Sequence, residues 1–177
     1  MTQNFPMRDI ISRAGSREIP DLLQGLFACE LLKPSQEIWL VSPWVSDIPV
    51  LDNRANAFAT LEPSWARSWV RLSQVLARLQ WSGSSVRVVV KPDAHNRDFL
   101  RELERHSHDL GAPIEVQQCD NLHFKGLLGD DYYLNGSMNF TLNGISVWEE
   151  GLKLIVDEAI VNNAHLQFQD HWRTAKP

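Results

Sequence analysis

Apolar residues at Ile19, Leu22, Leu23, Leu26, Phe27, Cys29, Leu31 and Leu32 recur at helical spacing, which predicts a helix over residues 19–32, ended by Pro34. Ile38–Val41 is a short continuous apolar run that reads as a buried strand and stops at Ser42-Pro43-Trp44. Residues 45–62 mix Asp47, Pro49, Asp52, Asn53, Arg54 and Asn56, and predict a long loop of the kind that often carries function. Trp65, Trp69, Leu72, Val75, Leu76 and Leu79 predict a second helix that opens at Pro63-Ser64 and breaks at Gly83. Val86–Val90 is a strand. Residues 96–110 form a third helix closed by Gly111, and 114–116 a short strand. Leu122–Leu128 and Tyr132–Leu134 are two strands joined by the Gly129-Asp130-Asp131 turn, and 152–156 is another strand. The last helix, 158–173, places Ile160, Ala164, Phe168 and Trp172 on one face. Strands alternating with helices imply an α/β fold, and the late hairpin makes its mainly parallel sheet mixed, flanked by helices. Residues 1–18 carry Arg8, Arg13 and Arg17 with few apolar groups and predict a loosely held arm before one domain over 19–177.

Composition narrows the class. The 177 residues suit one domain; 44% are hydrophobic and 22% charged, and seven Trp and seven Phe supply a core, so disorder is excluded as the general state. No apolar run reaches the ~18 residues a membrane span needs, and no secretory signal pattern opens the chain. Cys29 and Cys119 form neither a CxxC nor a framework, which points to reduced thiols and a cytoplasmic protein. A net charge of −5 argues against a general nucleic-acid coat but leaves room for a local phosphate site.

The chemistry concentrates in residues 123–141. On a strand, His123 and Lys125 would share a face: an imidazole able to attack phosphorus beside an ammonium able to neutralise its oxygens. Gly136-Ser137 then offers a close backbone approach and a hydroxyl, and Asn139 an amide donor. A lone His-x-Lys is weak evidence; the joint pattern is far more specific.

His123, Lys125 and Asp130 fit HxKxxxxD, and Gly136, Ser137 and Asn139 fit GSxN, so the chain resembles the phospholipase D superfamily across roughly residues 20–175. Glu150 matches the acidic residue that follows GSxN in its short bacterial nucleases. One departure is that five residues, not the usual six, separate Asp130 from Gly136. The resemblance implies a phospholipase D-like α/β/α sandwich and a phosphodiesterase needing no metal or other cofactor. His123 would form a phosphohistidine, Lys125 and Asn139 would grip non-bridging oxygens, Ser137 with Gly136 would bind substrate, and Glu150 would orient His123. A second histidine must protonate the leaving oxygen, so one motif copy implies a homodimer sharing an active site about a two-fold axis. Turn chemistry alone explains Asp130, a structural motif residue.

The single-motif format resembles the family's nucleases, and residues 32–58 resemble the phospholipase-D-like component of bacterial deazapurine DNA-modification clusters. The expected function is a DNA endonuclease linked to modification, restriction or defence, with other proteins of such a system as partners and no membrane. The alternatives are a phospholipase or phosphatidyl transferase, and a catalytically silent dimeric subunit of a DNA-processing complex. Trp39, Trp65, Trp69, Trp81, Trp148 and Trp172 read mostly as core, and Trp44 as core or dimer packing rather than a base-stacking groove. Arg54, Arg67 and Arg71 could track a nucleic-acid backbone or lie on a solvated face. His95, His165 and His171 have no ligand partners by spacing, and His171-Trp172 reads as helix-end packing.

Overall fold

The computed structural model describes residues 6–172. Its elements run β1 (Met7–Ile11), α1 (Glu18–Leu32), β2 (Glu37–Val41), β3 (Pro49–Asp52), β4 (Trp69–Arg71), α2 (Leu72–Trp81), β5 (Ser85–Val90), α3 (Arg97–Asp109), β6 (Glu115–Gln118), β7 (Gly126–Gly129), β8 (Tyr132–Gly136), α4 (Leu142–Ser146), β9 (Gly151–Ile155) and α5 (Glu158–Trp172). Seven strands form one sheet in the order β1-β9-β8-β7-β2-β5-β6, and β3 and β4 form a separate ribbon.

Period-2 alternation divides the core between the two faces of the sheet. Ile38 and Leu40 of β2, with Val86, Val88 and Val90 of β5, join the helical layer of α1, α2 and α3. Trp39 and Val41, with Val89, Leu128 and Tyr133, face α5 through Val161, Ala164, Phe168 and Trp172. Helices therefore cover both faces, giving the α/β/α sandwich. Its parallel part, expected to dominate, is two of the six pairings in the large sheet, β2 with β5 and β5 with β6; the other four are antiparallel. Among the described residues no helix is long and apolar enough to cross a membrane.

Several expectations are corrected. The loose arm of residues 1–18 contains β1, which pairs antiparallel with β9, Ile10 opposite Leu152. An otherwise unpaired edge of β9 takes it up, anchored by the single buried apolar residue Ile10, too little for a pattern to reveal. Residues 1–5 lie outside the described residues, as do 173–177 at the end of the expected domain.

The polar segment 45–62 is not all loop. Val50 and Leu51 are buried in β3, and buried Asn53 accepts from the Phe58 N–H at 2.9 Å while its Nδ2 donates to the Ala66 carbonyl at 3.0 Å. The second helix starts at Leu72, not near Trp65, because Trp69–Arg71 pairs with β3 and the Arg71 N–H donates to the Gln74 side chain at 2.9 Å, closing the helix end there. The strand expected over 122–128 begins at Gly126: β2 offers no pairing beyond Val41, and the following Ser42-Pro43 turn leads the chain away. In α5 it is Val161, not Ile160, that joins Ala164, Phe168 and Trp172 in the core. Trp39, Trp65 and Trp172 are buried, whereas Trp69, Trp81 and Trp148 are exposed. Arg78 lies over the Trp81 ring and Arg54 over the Trp69 ring, so two of these indoles are covered by guanidinium groups instead of a core.

Candidate active site

The sheet register gathers the motif residues at one end. Val41 opposes Gly126, Gly126 opposes Asn135, and Gly136 opposes Leu152. The next residues along, Ser42, Lys125 and Ser137, therefore lie at that one end of the sheet, together with Gly151, the first residue of β9.

Gly136 makes this convergence possible. Its φ of +153° and its approach to β9 leave no space for a side chain: a Cβ there would lie 2.1 Å from the Gly151 carbonyl oxygen. With the backbones this close, the Ser137 N–H donates to the Gly151 carbonyl at 3.0 Å and the Gly151 N–H donates to Ser137 Oγ at 3.1 Å. Ser137 Oγ in turn donates to the carboxylate of buried Glu150. Glu150 was expected to orient His123. Its carboxylate is held by Ser137 instead, because Glu150 precedes Gly151, the residue lying against Ser137.

Glu150 is anchored from an unexpected direction. Ser12, within the supposed arm, donates its N–H to the Glu150 carbonyl at 2.9 Å and accepts the Glu150 N–H on Oγ at 3.1 Å. Nothing in the sequence pattern marks Ser12.

Asn139 stands between the sheet end and α4. Its Oδ1 lies 3.4 Å from Ser42 Oγ, which also lies 3.0 Å from the Trp44 carbonyl oxygen. Thr141 caps α4 by accepting the Gly144 N–H at 3.1 Å, and Gly144 permits close passage: a Cβ there would meet the Asn139 carbonyl oxygen at 2.2 Å. Ser42 belongs to the Ser-Pro-Trp turn that the sequence marked as a strand end, so it could have been suspected.

His123 and Lys125 lie on an irregular stretch before β7, so the pleat does not set their directions. Phe124 fixes the stretch instead, its ring 5.3 Å from Phe168, 5.5 Å from Trp172 and 6.5 Å from Tyr133. Lys125 Nζ donates back to the His123 carbonyl at 2.8 Å. The exposed imidazole of His123 has no hydrogen bond or ion pair to the described residues.

Asp130 is not at this site. At the far end of β7 it accepts the Gln36 N–H at 2.7 Å and the Glu37 N–H at 3.3 Å, and donates its own N–H to Ser35 Oγ at 2.9 Å. Arg54 and Arg71 are also committed elsewhere: Arg54 pairs with Asp52 at 2.7 Å, and Arg71 donates to the Asp47 carbonyl at 2.6 Å. His165, without partners by spacing, lies 3.0 Å from the Gly129 carbonyl oxygen and 3.4 Å from the Glu37 carboxylate. His171 packs edge-on against Trp172 with centroids 4.8 Å apart.

No family model matches the sequence, and no curated protein matches it. Solved structures share the fold. Nuc from Salmonella typhimurium, a phospholipase D family member, aligns over 94% of this chain and 93% of its own at 16% identity with a TM-score of 0.60. Phosphatidylserine synthase from Haemophilus influenzae aligns over 93% of this chain and 38% of its own, at 16% identity and a TM-score of 0.55. TrmBL2, an archaeal chromatin protein with a novel mode of DNA binding, aligns over 98% of this chain and 54% of its own, at 14% identity and a TM-score of 0.54. The likeness is one of fold, and the fold is that of a phospholipase D family member.

Proposed function

We propose that this chain is a metal-independent phosphodiesterase of the phospholipase D superfamily that cleaves DNA through a phosphohistidine on His123. The observation that carries the reading is the convergence of Lys125, the Ser137–Glu150 pair and the Asn139–Ser42 pair at one sheet end, on a fold shared with a phospholipase D family member. In the reaction, one imidazole nitrogen of His123 attacks phosphorus, and the bond to the leaving oxygen breaks as that oxygen takes a proton. Lys125 neutralises and Asn139 hydrogen-bonds the non-bridging oxygens, and Ser137 adds a hydrogen bond once its hydroxyl turns from the Glu150 carboxylate to the phosphate. Water then displaces the imidazole, releasing the phosphomonoester.

The proton donor must be a second histidine, and the chain carries one copy of the motif, so the active form is a homodimer with two exposed His123 side chains facing one phosphate. Free Cys29 and Cys119 suit a cytoplasmic setting. The resemblance of residues 32–58 to the phospholipase-D-like component of deazapurine DNA-modification clusters supports restriction or defence, alongside other proteins of such a system.

Two further readings each have an observation behind them: phosphatidyl transfer, from the likeness to phosphatidylserine synthase, and a silent DNA-binding subunit, from the likeness to TrmBL2. Cleavage assays in EDTA on DNA, RNA, bis-p-nitrophenyl phosphate and phosphatidylcholine separate them. DNA turnover is the expected result; lipid turnover alone, or inactivity on every substrate, overturns the proposal. Sedimentation must show a dimer at working concentration, and a monomer throughout sinks the shared site.

A further inference from the structure

We infer that the cavity beside Asn139 receives an unstacked nucleobase, so that the substrate is single-stranded or locally unpaired at the cleaved phosphate. The inference rests on the phosphodiesterase reading for the identity of the ligand. The cavity, about 330 Å³, is lined by Trp44, Ser46, His95, Asn139, Asn143 and Trp148 among others. It therefore joins a group assigned to phosphate to two indoles that the fold leaves exposed.

The wall carrying Trp44 is rigidly built. The Trp44 Nε1–H donates to Asp93 Oδ2 at 3.2 Å, and Asp93 Oδ1 accepts the His95 N–H at 2.8 Å. Those two bonds, the backbone bond first, hold the Asp93 carboxyl below its ordinary value, so it stays ionised and keeps its grip on the indole. Fully buried Asn96 accepts the Val45 N–H at 2.7 Å and donates to the Pro43 carbonyl at 2.9 Å and the Lys91 carbonyl at 2.8 Å, clamping both sides of Trp44. Lys91 Nζ lies over one face of the Trp44 ring, 5.5 Å from its centroid, so a base would stack on the other face. His95 Nε2 lies 3.0 Å from Ser46 Oγ.

An indole fixed in place yet over a third exposed contributes little to a core and costs little entropy to stack on. Among its lining, Ser46, His95 and Asn143 supply donors and acceptors of the kind a base edge carries, and the two indoles with Leu142 supply the apolar surface its faces need. A base in a duplex has both faces stacked and its edge paired, so it must leave the helix before it can meet Trp44. Stacking is indifferent to base identity, which predicts strand-state selectivity without sequence selectivity.

The test measures binding by fluorescence anisotropy in a His123→Ala background, so that no cleavage intervenes. The probes are a ten-nucleotide oligo(dT), a ten-unit abasic deoxyribose phosphodiester of equal charge, and a blunt ten-base-pair duplex. Oligo(dT) is expected to bind roughly five- to a hundred-fold more tightly than the abasic polymer, the range that one stacked base supplies, and more tightly than the duplex. Trp44→Ala removes most of that preference and Trp44→Phe keeps it; Trp148→Ala, at a residue 57% exposed and so safe for folding, removes part of it. Equal binding of oligo(dT) and the abasic polymer, tighter binding of the duplex, or a preference that survives both alanine variants overturns the inference. Base preference in a protein that cleaves nothing overturns only the catalytic reading; cleavage without base preference overturns only this one.

Discussion

The two ends of the β7–β8 hairpin carry the two halves of one sequence motif and are built in opposite ways. At the Asp130 end the carboxylates are tied down. Asp130 holds the Gln36 and Glu37 N–H groups, and Ser35 donates its N–H and Oγ to Glu30 at 2.8 and 2.7 Å. Burial pushes the Glu30 carboxyl up, and the two Ser35 bonds offset part of that push. Glu37 receives Arg87 Nε at 3.0 Å and Gln169 Nε2 at 2.8 Å. At the other end, among the described residues, His123 is exposed and unbonded, Lys125 reaches only the His123 carbonyl, and Asn139 borders a cavity. The five steps from Lys125 to Asp130 span roughly 17 Å at about 3.3 Å per strand residue, so no single phosphate touches both. A contiguous motif thus divides into groups free to meet a ligand and one group that closes a turn. The difference is one of unspent hydrogen-bonding capacity: the satisfied end stabilises the fold, and the unsatisfied end is available for chemistry.

The largest test of this contrast is kinetic. His123→Ala should lower DNA cleavage by about ten-thousand-fold while the thermal midpoint stays within about a degree, since an exposed, unbonded side chain contributes little to folding. A large drop in melting temperature would assign His123 to the structural side.

Next comes Gly136→Ala. The added methyl meets the backbone of Gly151 in a strained conformation, and the expected loss is about 3 kcal/mol in denaturant unfolding, together with the Ser137–Gly151 pairing. Unchanged stability would mean that β8 and β9 separate more readily than their register implies.

Asp130→Ala should cost about 1–2 kcal/mol by leaving the Gln36 and Glu37 N–H groups without their acceptor, with turnover per folded molecule retained. A kinetic defect larger than the loss of folded protein would contradict the structural role of Asp130.

The smallest effect is pH-dependent. Burial raises the Glu37 carboxyl, but hydrogen bonds from Gln169 and Arg87 outweigh it and hold the carboxyl below the ordinary glutamate value. A depressed folded-state pKa adds stability that is present above the unfolded value and lost as the pH falls through the folded one. Glu37→Gln should therefore cost about 1 kcal/mol at neutral pH and almost nothing well below pH 4. Urea titrations at both pH values read this directly, and a cost that grew on acidification would reverse the sign.

Part of this was legible in the sequence. Apolar runs such as Val86–Val90, and the Gly111 helix stop, placed most elements, because burial on a sheet or helix imposes a period on neighbouring residues. Less was legible where one residue anchors a segment, as Ile10 does in β1, or where a polar side chain does the holding, as Asn53 does under the 45–62 segment: a single contact leaves no period. His95 and Ser12 escaped for a related reason, since their partners Ser46 and Glu150 are 49 and 138 residues away in the chain.

The sequence by itself determined the α/β layering and the grouping of His123, Lys125, Gly136, Ser137 and Asn139 in one segment, because hydrophobic period and residue chemistry are local properties. The turn reading of Asp130 was also legible from its neighbours; tertiary structure alone decided that Ser137 takes the Glu150 carboxylate and that Trp44 and His95 share a cavity with Asn139. Those outcomes depend on strand register and on loops meeting across the sheet, and neither is written in the spacing of residues along the chain.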